Sequence, residues 1–369
     1  AEQLWKFMET DLTEAITSGK LTSKTSLEDR DGGTRATLEA ARCLLGKIYL
    51  YQEKYADAKS ELEKVISSGK YDLIADVSTF YHPASAGCKE YVLECVRHYD
   101  PSNMYSQEGW FGILANWGFG YGFIAGPEAS MHYKFNTTSG YSYFNPSKSL
   151  YDAFVAEEGA DGYRLNAWIR TWEQVIAMNI AVNTTTNKYA SEGYFRLKWL
   201  ASTDDEFVGY WCGNQSNTPV IRYADVLLMA AEACLQAGDQ AGADEYLGRV
   251  RDRARLPRKS HVTLSDIKLE RRLELAMEGM RFQDLKRWGD APAVLADKGK
   301  KLPTFQIVPD PNNDLTTAAG IYNARYTTKT TYVDNEKSLA GWTPNRDEWL
   351  PFPENELEVN SNLKQNPGY

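Results

Sequence analysis

The residues in this 369-residue chain whose types could break bonds are two runs of adjacent acids, Glu157-Glu158 and Asp204-Asp205-Glu206. Paired carboxylates can serve as general acid and base when their environments hold one protonated and the other ionised. Adjacent acids in a loop or at a helix end more often form a solvated charged face, and both runs read that way. The sequence has no GxSxG, no P-loop, no HExxH and no GxGxxG after a strand, so nothing in it marks a catalytic residue. The five cysteines form no CxxC pair and the chain holds only four histidines, so neither a metal site nor a cofactor is expected. Cys43 and Cys234 fall on apolar helix faces as small hydrophobes, while Cys88 and Cys95 could bridge across a turn.

Non-covalent chemistry is better provided for. The chain holds 23 Tyr and 10 Trp. Both types carry an apolar face and a polar tip, which suits binding surfaces as well as cores. A net charge of -9 and a pI near 5.2 argue against nucleic acid, which needs a basic footprint. Hydrophobic residues at 43% and charged residues at 25% describe an ordinary soluble globular protein. No stretch approaches the roughly 20 apolar residues of a membrane span, and the first residues enter helical periodicity without a signal peptide.

These residues must be positioned by helices at both ends of the chain and by something less regular between. Leu4, Met8, Leu12 and Ile16 repeat at i+4. Leu38, Ala41, Leu45, Ile48 and Tyr49 mark a second helix, and Tyr55, Ala58, Leu62, Val65 and Ile66 a third that stops at Gly69. Leu45-Gly46-x-x-Tyr49 followed by Ala58 matches the tetratricopeptide pattern, where small residues let two helices approach closely. The offsets recur at Ala231 and Ala243, on a helix pair from Arg222 to Arg255 ended by Pro257. Such a register predicts that the two hairpins stack as one scaffold. Between them Tyr91 to Arg97 alternates as a strand, a short helix is expected from Ser149 to Glu157, and the rest reads as aromatic-rich loops and short strands. Beyond Pro292 the chain reads as loop-dominated.

The densest run is Glu278-Gly279-Met280-Arg281-Phe282-Gln283-Asp284-Leu285-Lys286-Arg287-Trp288, placed in one long amphipathic helix from Ser265. There Glu278 would meet Arg281 and Asp284 would meet Arg287 at i+3. A glycine within a helix costs about 1 kcal/mol against alanine, so Gly279 predicts a close contact. This run resembles the E-G-x-R-F-x-D-L-x-R-W signature of the SusD/RagB family of surface glycan-binding lipoproteins. Ile221-Arg222-Tyr223-Ala224-Asp225 through Ala231-Glu232-Ala233 resembles that family's R-Y-A-D…A-E-A helix. Ser149 to Phe154 with Asp161 and Arg164 is similar to its mid-chain element. Leu350-Pro351-Phe352-Pro353 through Gln365-Asn366-Pro367-Gly368-Tyr369 is similar to its closing motif.

The resemblance implies a mainly α fold: a tetratricopeptide-like scaffold carrying a long irregular α+β insertion. The expected organisation is a helical part with one hairpin over 1–70 and the aromatic insertion, as candidate glycan-binding region, over 71–219. The second hairpin and signature helix of the same scaffold fill 220–291, and a loop-rich segment 292–369. The resemblance also implies a binder rather than an enzyme, held by a lipid anchor at the outer membrane and paired with a SusC-like TonB-dependent transporter. Family members usually begin with a lipoprotein signal, an acylated cysteine and a first repeat pair, so this chain reads as one lacking its N-terminal part. A missing repeat would leave apolar scaffold surface uncovered.

Sugars stack their C–H faces on Trp or Tyr, and their hydroxyls need amide, carboxylate or guanidinium partners. Trp110, Asn116, Trp117 and Tyr121 supply that mix, as do Trp168, Arg170 and Trp172; these seven are the expected ligand contacts. Core packing competes for each aromatic. A helical-repeat scaffold for protein partners and a glycoside hydrolase are the alternative functions.

Overall fold

The computed structural model describes residues 2–96, 145–171, 173–174, 192–198, 217–314, 316–317, 320, 325–337 and 340–369, with short strands at 123–124, 181–182 and 188–189. Helices α1 (Glu2–Thr17), α2 (Leu38–Tyr51) and α3 (Tyr55–Ser67) come first, followed by β1 (Tyr91–Cys95) and β2 (Phe123–Ile124). The described part of the insertion then holds α4 (Lys148–Glu158), α5 (Tyr163–Trp168), β3 (Ile169–Thr171), β4 (Ala181–Val182), β5 (Lys188–Tyr189) and β6 (Tyr194–Arg196). Strand β7 (Thr218–Arg222) leads into α6 (Tyr223–Gln236) and α7 (Gln240–Arg253). Last come α8 (Leu264–Glu274), α9 (Arg281–Arg287), α10 (Ala291–Val294), β8 (Lys301–Pro309), β9 (Tyr326–Asp334) and α11 (Glu354–Val359).

Apolar spacing and capping explain the scaffold. Thr37 Oγ1 accepts from the Ala40 amide at the start of α2, and Asp239 from the Gly242 amide at the start of α7. Thr263 and Asp266 form a reciprocal capping box on α8. Leu62, Val65, Ala58 and Cys43 of the first hairpin share one core with Val226, Leu227, Ala230, Ala231, Ala243 and Leu247 of the second. The small-residue register is used as expected. A Cβ on Gly46 would lie 2.8 Å from Leu62 Cγ, so α2 and α3 touch where glycine stands. At the edge of the scaffold α1 rests on α2, with Lys54 on Glu9 at 2.5 Å. No residue of α1 is buried, and Leu4 and Phe7 are 60% and 62% exposed.

Several expectations are corrected. The signature run is not one helix: α8 ends at Glu274, and α9 begins at Arg281. Between them Met277 and Gly279 take φ of +64° and +80°, and a Cβ on Gly279 would meet nothing within 4 Å. Gly279 is there for a left-handed backbone, not for close packing. The segment after Pro292 is also more ordered than its prolines suggest. β8 and β9 pair antiparallel along their whole length, with Leu302 opposite Val333 and Gln306 opposite Lys329. Threonine-rich β9 lacks an apolar alternation, which is why the ribbon is hard to see in sequence. Cys88 and Cys95 are both free thiols, so the bridge across the turn is absent.

Candidate functional site

The turn between α8 and α9 is the meeting point of three sequence motifs. Ending α8 at Glu274 frees carbonyls that a continued helix would have used. Lys198, just beyond β6, donates to the Glu274 and Ala276 carbonyls at 3.0 and 3.1 Å and to Glu278 Oε1 at 2.6 Å. Its ammonium also lies 3.7 Å from the centre of the Trp168 ring. Burial pushes Lys198 down to about 8, against the opposing pull of Glu278. Arg222, at the junction of β7 and α6, reaches Glu278 with Nε and Nη2 at 2.8 and 2.6 Å and Glu90 with Nη1 at 2.6 Å.

Buried charge continues outward from this point. Glu274 accepts from Arg164 at 3.0 Å, Arg222 at 3.0 Å and Arg253 at 2.5 Å, with every partner side chain almost fully buried. Burial alone would raise its carboxyl, but Arg253, Arg222 and Arg164 hold it well below the usual carboxylate range. Arg164 also pairs with Glu158 at 2.7 Å and Glu270 at 2.6 Å, which ties α5 of the insertion to α8 of the scaffold.

The signature residues fall into place one by one. Asp284 meets Arg287 at i+3 as expected, at 2.9 Å; Arg287 reaches the second hairpin directly, and Asp284 is linked to it through Arg271. Asp284 shares Arg271 with Asp225, while Arg287 grips Glu232 with both Nη atoms and the Trp288 indole donates to Glu232 at 2.9 Å. Thus charged letters of one motif pair with charged letters of the other. The expected Glu278–Arg281 pair is corrected, because the turn points Glu278 at Arg222 and Lys198. Arg281 is half-buried and makes no ion pair among the described residues. Sequence periodicity could not supply these partners, which lie 50 to 80 positions away.

Among the expected ligand contacts, Trp168 is corrected to core. It is 1% exposed, its indole donates to the Val77 carbonyl at 3.1 Å, and Phe154 packs edge-on against it. Arg170 is half-buried on β3 and turns back on α5, donating to the carbonyl and side chain of Asn166. Trp110, Asn116, Trp117, Tyr121 and Trp172 lie outside the described residues, as do Asp204, Asp205 and Glu206. The adjacent acids Glu157 and Glu158 are structural: Glu157 pairs with Arg251 at 2.6 Å and Glu158 with Arg164.

One cluster escaped sequence reasoning because its members lie on different helices. Glu63, Cys234 and Asp239 bring ligand-type atoms within 4.8 Å of one another. Lys59 already sits 2.6 Å from Asp239, Tyr246 donates to Glu63 at 3.1 Å, and burial pushes the thiol up to about 12. The cluster knits the two hairpins together.

The model of the SusD family matches residues 89–369, which takes in the strand that opens the insertion, the second hairpin, the signature turn and the closing motif. The chain belongs to the SusD family. Proteins of this family bind glycans without cleaving them. A SusD-like protein of Bacteroides ovatus is 31% identical over 170 residues, covering 41% of this chain and 29% of that protein. SusD-like protein P2 of Formosa agariphila is 26% identical over 362 residues, covering 89% of this chain and 59% of that one. This chain therefore spans less than two thirds of the length of the curated relatives it matches. Among solved structures, a laminarin-binding SusD-like protein superposes with a TM-score of 0.74 at 27% identity, over 100% of this chain and 69% of that one. A surface glycan-binding protein A from Bacteroides fluxus shares the fold, with a TM-score of 0.72 at 24% identity, over 100% of this chain and 70% of that one.

Proposed function

We propose that the protein binds an oligo- or polysaccharide at the bacterial cell surface, without catalysis, and passes it to a SusC-like TonB-dependent transporter. The observation that carries this reading is the likeness, along the whole chain, to a laminarin-binding SusD-like protein at 27% identity. A β-1,3-glucan is accordingly the first ligand to try. The physical sense is capture: a binder held at the outer membrane by a lipid anchor raises the glycan concentration at the transporter mouth.

The binding platform is assigned to Trp110, Trp117, Tyr121 and Trp172, with Asn116 and Arg170 offering hydroxyl contacts. The support is local: tryptophans interleaved with glycine and amides in a stretch without helical periodicity. Shallow stacking of this kind gives weak binding, on the order of micromolar to millimolar, or about 4–8 kcal/mol. A glycan panel that includes laminarin, read by calorimetry or affinity gel, tests the ligand class. Alanine at a platform tryptophan should abolish binding and leave thermal stability nearly unchanged. Unchanged affinity in all the alanine variants would move the platform elsewhere. Full-length protein purified from native membranes without any transporter would count against the partnership.

A further inference from the structure

The Glu63–Cys234–Asp239 cluster draws its side chains from α3, from the last turn of α6 and from the turn between α6 and α7. Their ligand-type atoms lie within 4.8 Å of one another, with Cys234 Sγ 3.9 Å from Glu63 Oε1. Bonds of about 2.3 Å to sulfur and 2.0 Å to oxygen set neighbouring ligands roughly 3.5 Å apart around a tetrahedral zinc ion. Small rotations of the two half-buried carboxylates close that difference. Each carboxylate is already oriented from behind. Asp239 Oδ1 accepts from the Gly242 amide at 2.9 Å, which presents Oδ2 to the cluster, and Tyr246 donates to Glu63 at 3.1 Å. Two further observations point to a cation here. Lys59 Nζ lies 2.6 Å from Asp239 Oδ2 and 4.0 Å from Glu63 Oε1, so a positive charge stands between the acids on a side chain that reaches in from solvent. A Cβ on Gly242 would fall 2.7 Å from Asp239 Oδ2 and 2.9 Å from Cys234 Sγ, so glycine keeps the space before both ligand atoms open. A recess of about 650 Å³ lined in part by Lys59, Glu63 and Tyr246 opens beside them.

We propose that Glu63, Cys234 and Asp239 form a zinc site that staples the first hairpin to the second, with water as the fourth ligand on the recess side. One sulfur and two oxygens suit a borderline-soft ion content with four ligands, whereas calcium and magnesium require six or more oxygens. On binding, the Lys59 ammonium turns out to solvent still protonated, and the Cys234 thiol gives its proton to water. Charge balances: two carboxylates and an ammonium carry the same net charge as two carboxylates, a thiolate and Zn²⁺. Burial and the flanking carboxylates keep the thiol protonated without metal, and a divalent ion reverses that local field. The site stands on its own donor set and is independent of the glycan reading.

The test strips the reduced chain of metal with a chelator and titrates Zn²⁺ against a chromophoric competitor, with Co²⁺ as the spectroscopic probe. Zinc should bind at one ion per chain and raise the melting temperature. Co²⁺ should give the intense visible bands of tetrahedral coordination and a thiolate charge-transfer band in the near ultraviolet. Cys234→Ala should abolish that charge-transfer band, and both Cys234→Ala and Glu63→Gln should weaken zinc about tenfold or more. Lys59→Ala should instead tighten zinc several-fold, because the resident ammonium no longer competes, an effect that a purely structural cluster would not produce. Lys59 and Glu63 are only partly buried, so their variants keep the fold even where Cys234→Ala does not, and the melting temperatures of the metal-free proteins verify it. Absence of binding at one ion per chain, a cobalt spectrum without the sulfur band, a band that survives in Cys234→Ala, or zinc affinity that fails to rise in Lys59→Ala would overturn the site.

Discussion

The two hairpins are joined mainly by hydrocarbon, whereas the insertion meets the scaffold through a buried network of charge laid beside its apolar contacts. Between α2–α3 and α6–α7 the contact is made largely by alanine, leucine and valine. Between α5, β6 and the α8–α9 turn it is made by Arg164, Lys198, Arg222 and Arg253 against Glu90, Glu158, Glu270, Glu274 and Glu278. Aliphatic contact is non-directional and recovers much of its energy after a small slide. A buried ion pair gains its energy only in one geometry and loses heavily when a partner is missing. The hairpin interface therefore sets proximity, and the charged seam sets the register at which the insertion is held.

Removing the centre of the seam should have the largest effect. Glu274→Ala leaves Arg164, Arg222 and Arg253 short of a shared carboxylate, and a loss of about 3–5 kcal/mol is expected in denaturant melts. A loss below that of a core truncation would break the contrast drawn above. In the hairpin interface Leu62→Ala should cost about 2–5 kcal/mol through the cavity it leaves. The two glycines separate packing from backbone conformation. Gly46→Ala drives a methyl into Leu62 and should cost about 1–3 kcal/mol. Gly279→Ala meets open space and should cost about 1–2 kcal/mol, for the left-handed backbone alone.

The smallest effect is pH-linked. Partial burial would raise Asp266, but hydrogen bonds from Thr263 and Lys259 outweigh it and bring the carboxyl from 3.8 down to about 2. With the folded value depressed, the unfolded chain takes up the proton first as pH falls. The stabilisation is therefore complete above the unfolded value and lost on acidification through the folded one. Asp266→Asn should flatten that part of the stability profile and remove a capping contribution of about 1 kcal/mol at neutral pH. An unchanged slope between pH 4 and 2 would assign the acid sensitivity to other carboxylates.

How much of this was legible depended on the range over which a contact acts. Helix positions, the first strand and the short insertion helix follow from periodicity within one element, and Gly46 and Ala58 announced their close approach. The break in the signature run did not show, because nothing local distinguishes a left-handed Gly279 from a glycine packed within a helix. Only the distant Lys198 and Arg222 make the freed carbonyls and Glu278 worth turning inward. Trp168 failed as a ligand contact for a related reason. Its environment of tryptophan, arginine and asparagine reads as a sugar platform, and only the fold brings Phe154 and Val77 over it.

The β8–β9 ribbon carries a consequence for how copies of this chain meet in a crowded solution. Strand β9 reads Tyr326-Thr327-Thr328-Lys329-Thr330-Thr331-Tyr332, the same in both directions about Lys329. A palindrome is the sequence best suited to antiparallel pairing with itself, since tyrosine would face tyrosine and threonine would face threonine across the two strands. The centred register, however, sets one Lys329 ammonium against another, and like charges directly opposed across strands repel. Shifting the register to avoid that clash gives up the matched pairs. One lysine at the centre of symmetry thus guards a strand whose remaining residues would otherwise favour aggregation along its edge.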